Sequence, residues 1–341
     1  MNFLIKPLLE VKDLKKHFEI ENDLPWEKGA KSVKAVDGID LNVYPGETLG
    51  IVGESGCGKS TVARLINQLI KPTKGKVSFN NEDFTDMKTR ELRKKRKSIQ
   101  MIFQDPFASL DPRMSVEELI SEPLKIHNVG NKESRKKKTK EMLEIVGLNK
   151  NFANRHPHEF SGGQRQRINI ARALVLDPEL IICDEPVSAL DVSVQAQIIN
   201  LLKELQSRLS LTLIFISHDL NVVRYMCKRV VVMYLGKIVE VGSYKDIYSN
   251  SSHPYTQALL ESIPKESPFE KKQNVELQGS IPSPLNPPTG CRFHTRCPFA
   301  TEVCKKKEPV LRTTEKMLEG HIAACHHIEQ IKKEDNNLVY K

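Results

Sequence analysis

Residues 48–61 read Thr48-Leu49-Gly50-Ile51-Val52-Gly53-Glu54-Ser55-Gly56-Cys57-Gly58-Lys59-Ser60-Thr61, and this stretch decides the fold class. A short apolar run ends in a glycine-rich turn. Apolar residues then recur at helical spacing through Thr61-Val62-Ala63-Arg64-Leu65-Ile66. Gly53 to Ser60 fits G-x-x-x-x-G-K-[ST] in the context that pattern requires, after a strand and opening a helix. Glycines let backbone N–H groups turn inward around an anion, and the helix start adds partial positive charge. Lys59 then reaches the β- and γ-phosphates of a nucleotide, and the Ser60 hydroxyl ligates Mg²⁺. The run Leu180-Ile181-Ile182-Cys183-Asp184-Glu185 ends a second apolar strand on two carboxylates. Asp184 suits water-mediated contact to Mg²⁺, and Glu185 suits orienting and deprotonating an attacking water.

Outward from these two strands the chain alternates. Leu9-Glu10-Val11, Ala35-Val36 and Ile39–Val43 read as short strands ahead of the phosphate loop. Beyond residue 177 come the strand at Leu180, a helix from about Val194 to Arg208, a strand from Leu211 to Ile216 and a strand from Arg229 to Val241. Strands alternating with helices predict a parallel α/β sheet with crossover helices. Residues 106–176 interrupt it with a mostly helical insertion, whose start signal is Ser115 before Val116-Glu117-Glu118. Past residue 250 a short helix is expected from His253 to Ile263. The proline-rich run Ile281-Pro282-Ser283-Pro284-Leu285-Asn286-Pro287-Pro288 reads as extended linker, and Lys332–Lys341 as a frayed polar end.

At 341 residues the chain is long enough for about two domains. Its apolar runs are far shorter than the ~18 residues of a membrane span, and no leader is expected at the N-terminus. The net charge of +9 is concentrated in Arg93–Lys97 and Arg135–Lys138, which read as solvated helix faces. Four of the seven cysteines, Cys291, Cys297, Cys304 and Cys325, cluster near the C-terminus, which favours a metal centre over cross-links in an intracellular chain. Their C-x5-C-x6-C-x20-C spacing lacks the close pairs usual for zinc, and so leans toward iron–sulfur, with Zn²⁺ as the alternative. His294, His321, His326 and His327 are nearby alternative ligands, and inert buried thiols are a third reading.

Phe160-Ser161-Gly162-Gly163-Gln164 opens another helix with a second anion-accepting end. One triphosphate does not need two such ends from one subunit, whereas a second subunit explains the pair. The ordered set Gly53–Thr61, Gln104, Phe160–Gln164, Asp184-Glu185, Ser188–Asp191 and His218 resembles the ATP-binding subunits of ABC transporters over roughly residues 8–250. The resemblance implies a P-loop NTPase core of ABC type with an antiparallel β subdomain and an inserted helical subdomain (about 106–176) in an ATPase domain spanning 1–250. It also implies a head-to-tail dimer, homo- or heteromeric, that sandwiches ATP and Mg²⁺. In that arrangement Gly53, Glu54, Ser55, Gly56, Cys57, Gly58, Lys59, Ser60 and Thr61 hold the phosphates, and Ser60, Asp184 and Gln104 serve Mg²⁺. Glu185 is the base, His218 senses the γ-phosphate, and Gln104 senses the membrane partner. Ser161, Gly162, Gly163 and Gln164 close on the other subunit's ATP, Asp191 crosses the interface, and Phe18 stacks on adenine. Phe160 stands where leucine is commoner.

Phe103–Pro112, Pro157–Arg167 and His253–Leu260 resemble the oligopeptide/dipeptide importer class in particular. This implies a C-terminal extension over 251–341 that carries a [4Fe–4S] cluster on the four cysteines. The implied partners are membrane permease subunits and an extracytoplasmic peptide-binding protein, and the implied location is peripheral, at the cytoplasmic face of the membrane. Nickel importers share much of the pattern. A soluble ABC ATPase acting on nucleic acid or ribosomes is the competing class. The chain holds one ATPase core rather than two and no long coiled-coil insertion, so no nucleic-acid partner is expected.

Overall fold

A computed structural model of the chain describes residues 6–20, 31–262, 279–314, 317–318 and 320–331. The expectations placed on the N-terminal leader region before Lys6, on Ile263 and on Lys332–Lys341 lie outside these residues. In chain order the strands and helices are β1 (Leu9–Ile20), β2 (Lys31–Val43), β3 (Thr48–Val52), α1 (Lys59–Ile66), β4 (Lys74–Phe79), β5 (Glu82–Asp83), α2 (Thr89–Lys95) and β6 (Ile99–Ile102). Next come α3 (Val116–Ile126), α4 (Lys132–Ile145), α5 (Gly162–Leu174), β7 (Leu180–Asp184), α6 (Val192–Leu209), β8 (Thr212–Ile216) and α7 (Leu220–Met226). The last are β9 (Arg229–Tyr234), β10 (Lys237–Ser243), α8 (Tyr244–Asn250), α9 (Pro254–Glu261), α10 (Glu302–Lys306) and β11 (Ile322–Ala323).

The larger sheet has the order β11-β10-β9-β3-β8-β7-β6, and its run from β9 to β6 is parallel. Its central strands β3, β7 and β8 are buried at every position and mostly apolar because both faces are covered. Leu180 and Ile182 of β7 and Ile214 and Ile216 of β8 join the core under α1 and the small sheet. Their neighbours Ile181, Cys183, Leu213 and Phe215 face the helices on the opposite side. The small sheet, β2-β1-β4-β5, is antiparallel throughout. The helical insertion is α3 to α5 with two short 3₁₀ turns, and α3 starts on the capping box read from Ser115, where Ser115 Oγ accepts from the Glu118 N–H.

Two strand expectations are corrected. Residues 31–43 form one strand rather than two, because register shifts in the β1–β2 pairing let the ladder continue past Gly38, whose φ is 79°. Residues 229–241 form a hairpin rather than one strand. The chain reverses at Leu235-Gly236, with φ of 42° and 76°, the pair of left-handed residues that a tight two-residue turn needs.

The basic runs are partly occupied. Arg93 and Arg96 donate to the carbonyls of Ile126 and Gln68, Arg135 Nε to that of Val129, and Lys138 pairs with Asp177. Among the described residues, no helix is long and apolar enough to cross a membrane.

Beyond residue 250 the chain is tied back onto the large sheet. β11 pairs with β10, placing Ala323 opposite Glu240. The fully buried Glu240 carboxylate accepts from the N–H groups of Ser252 (2.6 Å) and His253 (3.1 Å) and meets His321 Nε2 at 2.7 Å. Buried charge needs such partners, and this one knots β10, α9 and the C-terminal segment together. The Lys34 N–H donates to the Pro284 carbonyl, so the proline run lies along β2.

Candidate active site

The phosphate loop is held in shape by its surroundings. Gly53 has φ 151°, and a Cβ there would stand 2.2 Å from the Met233 carbonyl oxygen; at Gly58, φ 105°, a Cβ would stand 2.2 Å from that of Ala35. Any larger residue at either position meets backbone, so the loop can be this tight only with glycine. Lys59 is 4% exposed, and its ammonium donates to the carbonyls of Gly53 (2.8 Å) and Glu54 (3.0 Å). A cation resting on carbonyl oxygens is ready to exchange them for phosphate oxygens. Ser60 Oγ donates to Asp184 Oδ1 at 2.9 Å. Burial raises the Asp184 pKa against the lowering effect of that bond, so a cation between the two oxygens would relieve a carboxylate that is poorly solvated. Hydroxyl and carboxylate oxygens are the donor set that Mg²⁺ takes.

Glu185 follows Asp184 in a left-handed backbone conformation, φ 47°, and its N–H donates to the Ile216 carbonyl at 3.0 Å. The turn throws its side chain out of the sheet's path. Glu185 Oε2 meets His218 Nδ1 at 3.1 Å and accepts from Gln104 Nε2 at 3.3 Å. Residues from the ends of three neighbouring strands, β6, β7 and β8, thus converge on one carboxylate at the carboxyl edge of the sheet, where ligands of open α/β sheets bind.

Ser161 to Gln164 stand apart from this group. Ser161 caps α5, accepting from the Gln164 N–H and donating its own N–H to Gln164 Oε1 at 3.1 Å. Among the described residues, no hydrogen bond or ion pair joins this segment to Gly53–Thr61. Ser161 and Asp191 are exposed, and the neighbouring Val192 is 82% exposed. The two segments adjoin, since a Cβ on Gly162 would lie 3.2 Å from Leu190 Cδ2. Gly163 is buried, and a Cβ there would come within 2.4 Å of Val194 Cγ1, so close packing on α6 is one reason for that glycine. Phe18 lies on β1 opposite Val33, 39% exposed, with Lys16 Nζ 5.1 Å from the ring centroid.

The four C-terminal cysteines are free thiols gathered in one place. Cys297 feels the charges of Cys325, Cys291 and Cys304, and the Cys291 N–H donates to the Cys304 carbonyl at 2.8 Å. Burial pushes Cys297 up to about 12 and Cys325 up to about 11, with neighbouring thiols adding to both. Among the described residues, no three His, Cys, Asp or Glu converge as tightly as a single metal ion requires. The histidines offered as alternative ligands are otherwise engaged: His294 with the Cys291 carbonyl, His321 with Glu240, His326 with the Lys307 carbonyl and His327 with Thr301.

Two contacts escaped the sequence reading. The Glu54 N–H donates to Tyr255 Oη at 2.8 Å, and the Arg296 guanidinium grips the Glu54 carboxylate through both terminal nitrogens, at 2.8 and 3.1 Å. Their partners lie 201 and 242 residues away in sequence, so no local pattern announces them. The one local sign of them in the sequence is His253-Pro254-Tyr255, part of the stretch that resembles the oligopeptide/dipeptide importer class.

Comparison with known proteins agrees with this geometry. Residues 36–188 match the model of the family described as "ABC transporter", and residues 239–304 that described as "Oligopeptide/dipeptide transporter, C-terminal region". The chain is 53% identical over 322 residues to the oligopeptide transport ATP-binding protein AppF of Bacillus subtilis, covering 94% of this chain and 97% of that one. It is 55% identical over 310 residues to OppF of Escherichia coli, covering 90% and 93%. A solved dimeric ATP-binding cassette, MJ0796 bound to ADP and phosphate, superimposes with a TM-score of 0.62 at 33% identity, over 69% of this chain and 98% of that one. A phosphate loop, a strand-end carboxylate pair and these relatives together place the chain in the ABC transporter family, as an ATP-hydrolysing, ATP-binding subunit of its oligopeptide-importer class.

Proposed function

We propose that this chain energises peptide import by hydrolysing ATP between two half-sites. One half is Gly53–Thr61 of one subunit, and the other is Ser161–Gln164 of its neighbour, with Asp191 crossing between them. The observation that carries this reading is the Glu185 carboxylate held by His218 and Gln104 at the same sheet edge as Lys59, Ser60 and Asp184. Ser161 and Asp191 lie exposed on adjoining segments, as an interface element should. MJ0796 is a dimer, which supports a site shared by two subunits.

In the reaction, backbone N–H groups of the loop and Lys59 bind and orient the triphosphate. Ser60 and Asp184 would hold Mg²⁺, which supplies charge stabilisation to the β- and γ-oxygens. Glu185 accepts the proton of the attacking water, and His218 and Gln104 fix the carboxylate's rotamer until that water arrives. Phe18, partly exposed on β1, is proposed to stack on the adenine. The chain works with permease subunits and an extracytoplasmic peptide-binding protein, bound peripherally at the cytoplasmic face of the membrane. The 53% and 55% identity to proteins named for oligopeptide transport supports peptide over nickel.

The C-terminal cysteines are proposed to hold a [4Fe–4S] cluster. Four free thiols close to one another, Cys304 buried and Cys291, Cys297 and Cys325 half-buried, supply the ligand number and type that such a cluster takes. Its part is structural or regulatory. Anaerobically purified protein is expected to be brown with about four irons per chain. Replacing Cys297 with Ser should abolish the colour, whereas a colourless preparation containing stoichiometric zinc would overturn the assignment. Pull-down from solubilised membranes tests the function as a whole: permease subunits should copurify, and nuclease-sensitive copurification with nucleic acid or ribosomes would refute it.

A further inference from the structure

The extension beyond residue 250 reaches the one loop residue that carries a negative charge. Glu54 sits inside the phosphate loop, where its carboxylate would repel an incoming triphosphate. Arg296 answers it with a two-pronged ion pair, Nη1 to Oε2 at 2.8 Å and Nη2 to Oε1 at 3.1 Å, and the arginine side chain is only 6% exposed. Such forked, partly desolvated pairs are stronger and more directional than surface pairs. The arginine is fixed in turn: Nη1 also reaches Tyr234 Oη at 3.4 Å, and the rings of Tyr234, Tyr255 and Phe293 pack at 4.7 to 5.5 Å beneath it. Tyr255 takes the Glu54 N–H, while the Glu54 carbonyl receives Lys59 Nζ at 3.0 Å. One loop residue is therefore held by the extension at its amide and its carboxylate, and carries the resting lysine on its carbonyl.

We propose that Arg296 is a positioning residue for nucleotide binding. It masks the Glu54 carboxylate from the triphosphate and, with Tyr255, fixes the peptide on which Lys59 waits, so that the C-terminal extension sets the affinity of this chain for Mg·ATP. The inference rests on Gly53–Thr61 being the ATP site. An unmasked carboxylate in the loop acts on binding rather than on the chemical step. Removing the arginine should therefore raise KM and leave kcat nearly unchanged, and removing the carboxylate as well should cancel the defect.

The test uses the full chain and measures Mg·ATP affinity and steady-state kinetics. Arg296→Met should raise Kd and KM for ATP about tenfold with kcat within twofold, and Glu54→Gln combined with Arg296→Met should return both to within threefold of the parent. Should Arg296→Met fail to fold, Arg296→Lys, which keeps the charge but loses the fork, should raise KM twofold to fivefold. Unchanged KM in Arg296→Met or Arg296→Lys overturns the proposal, and so does a double variant as weak as Arg296→Met alone. Lys59→Met is the control: if it too binds ATP normally, the ATP-site assignment itself fails, whereas loss of binding there with normal Arg296 variants overturns only the role of the extension.

Discussion

Glu185→Gln is expected to bind Mg·ATP with near-parental affinity and to hydrolyse it at least about 100-fold more slowly, the usual range for loss of a positioned general base. The amide preserves size and can still hydrogen-bond to His218 and Gln104, which now lie 3.1 and 3.3 Å from the carboxylate oxygen. What it loses is basicity toward water. Binding is spared because Lys59, Ser60 and the loop amides, not Glu185, meet the phosphates. Equilibrium binding of a fluorescent nucleotide and single-turnover hydrolysis on the same sample check both halves. A variant that turns over like the parent would remove Glu185 from the role of base, and one that fails to bind would mean that its left-handed turn, φ 47°, supports the loop rather than the chemistry.

Lys59→Met should produce the reverse pattern, a loss that begins with binding. A hydrogen bond to a charged group contributes about 1.5–3 kcal/mol, which corresponds to a roughly 10- to 150-fold rise in Kd for Mg·ATP. Hydrolysis should fall further, since the same ammonium stabilises charge that develops on the γ-phosphate. Methionine fills the buried slot left by a side chain only 4% exposed, so the fold should persist and thermal melting should be nearly unchanged. Isothermal titration with Mg·ATP measures the effect; an unchanged Kd would mean that Gly53–Thr61 is not the ATP site.

What could be read from the chain alone follows contact range. The turn from β3 into α1 is local, and its glycines, lysine and serine are neighbours in sequence as in space. The strand ending at Asp184 was equally plain because both faces of β7 are buried, leaving an unbroken apolar run before two charges. The capped starts of α3 and α5 were legible for the same reason, since Ser115 with Glu118 and Ser161 with Gln164 satisfy one another within four residues. The hairpin at Leu235-Gly236 was not legible, because leucine gives no sign of a left-handed turn. Nor was the grip of Tyr255 and Arg296 on Glu54, which exists only after the large sheet has assembled and the extension has folded back over β9 and β10. The roles of Gln104, His218 and Asp191 came from ordered resemblance rather than from chemistry visible at each residue. For Gln104 and His218 the fold now supplies the chemistry, as both rest on Glu185.

The proposed enclosure of ATP by complementary half-sites requires two subunits. Electron cryomicroscopy of the assembled transporter carrying Glu185→Gln, saturated with Mg·ATP, is the decisive experiment. The expected structure is a closed pair in which Gly53–Thr61 of this chain cradle a triphosphate capped by the neighbouring subunit, while Ser161–Gln164 of this chain close over the nucleotide of that neighbour. A nucleotide bound in an open site, with Ser161–Gln164 still facing solvent, would contradict it.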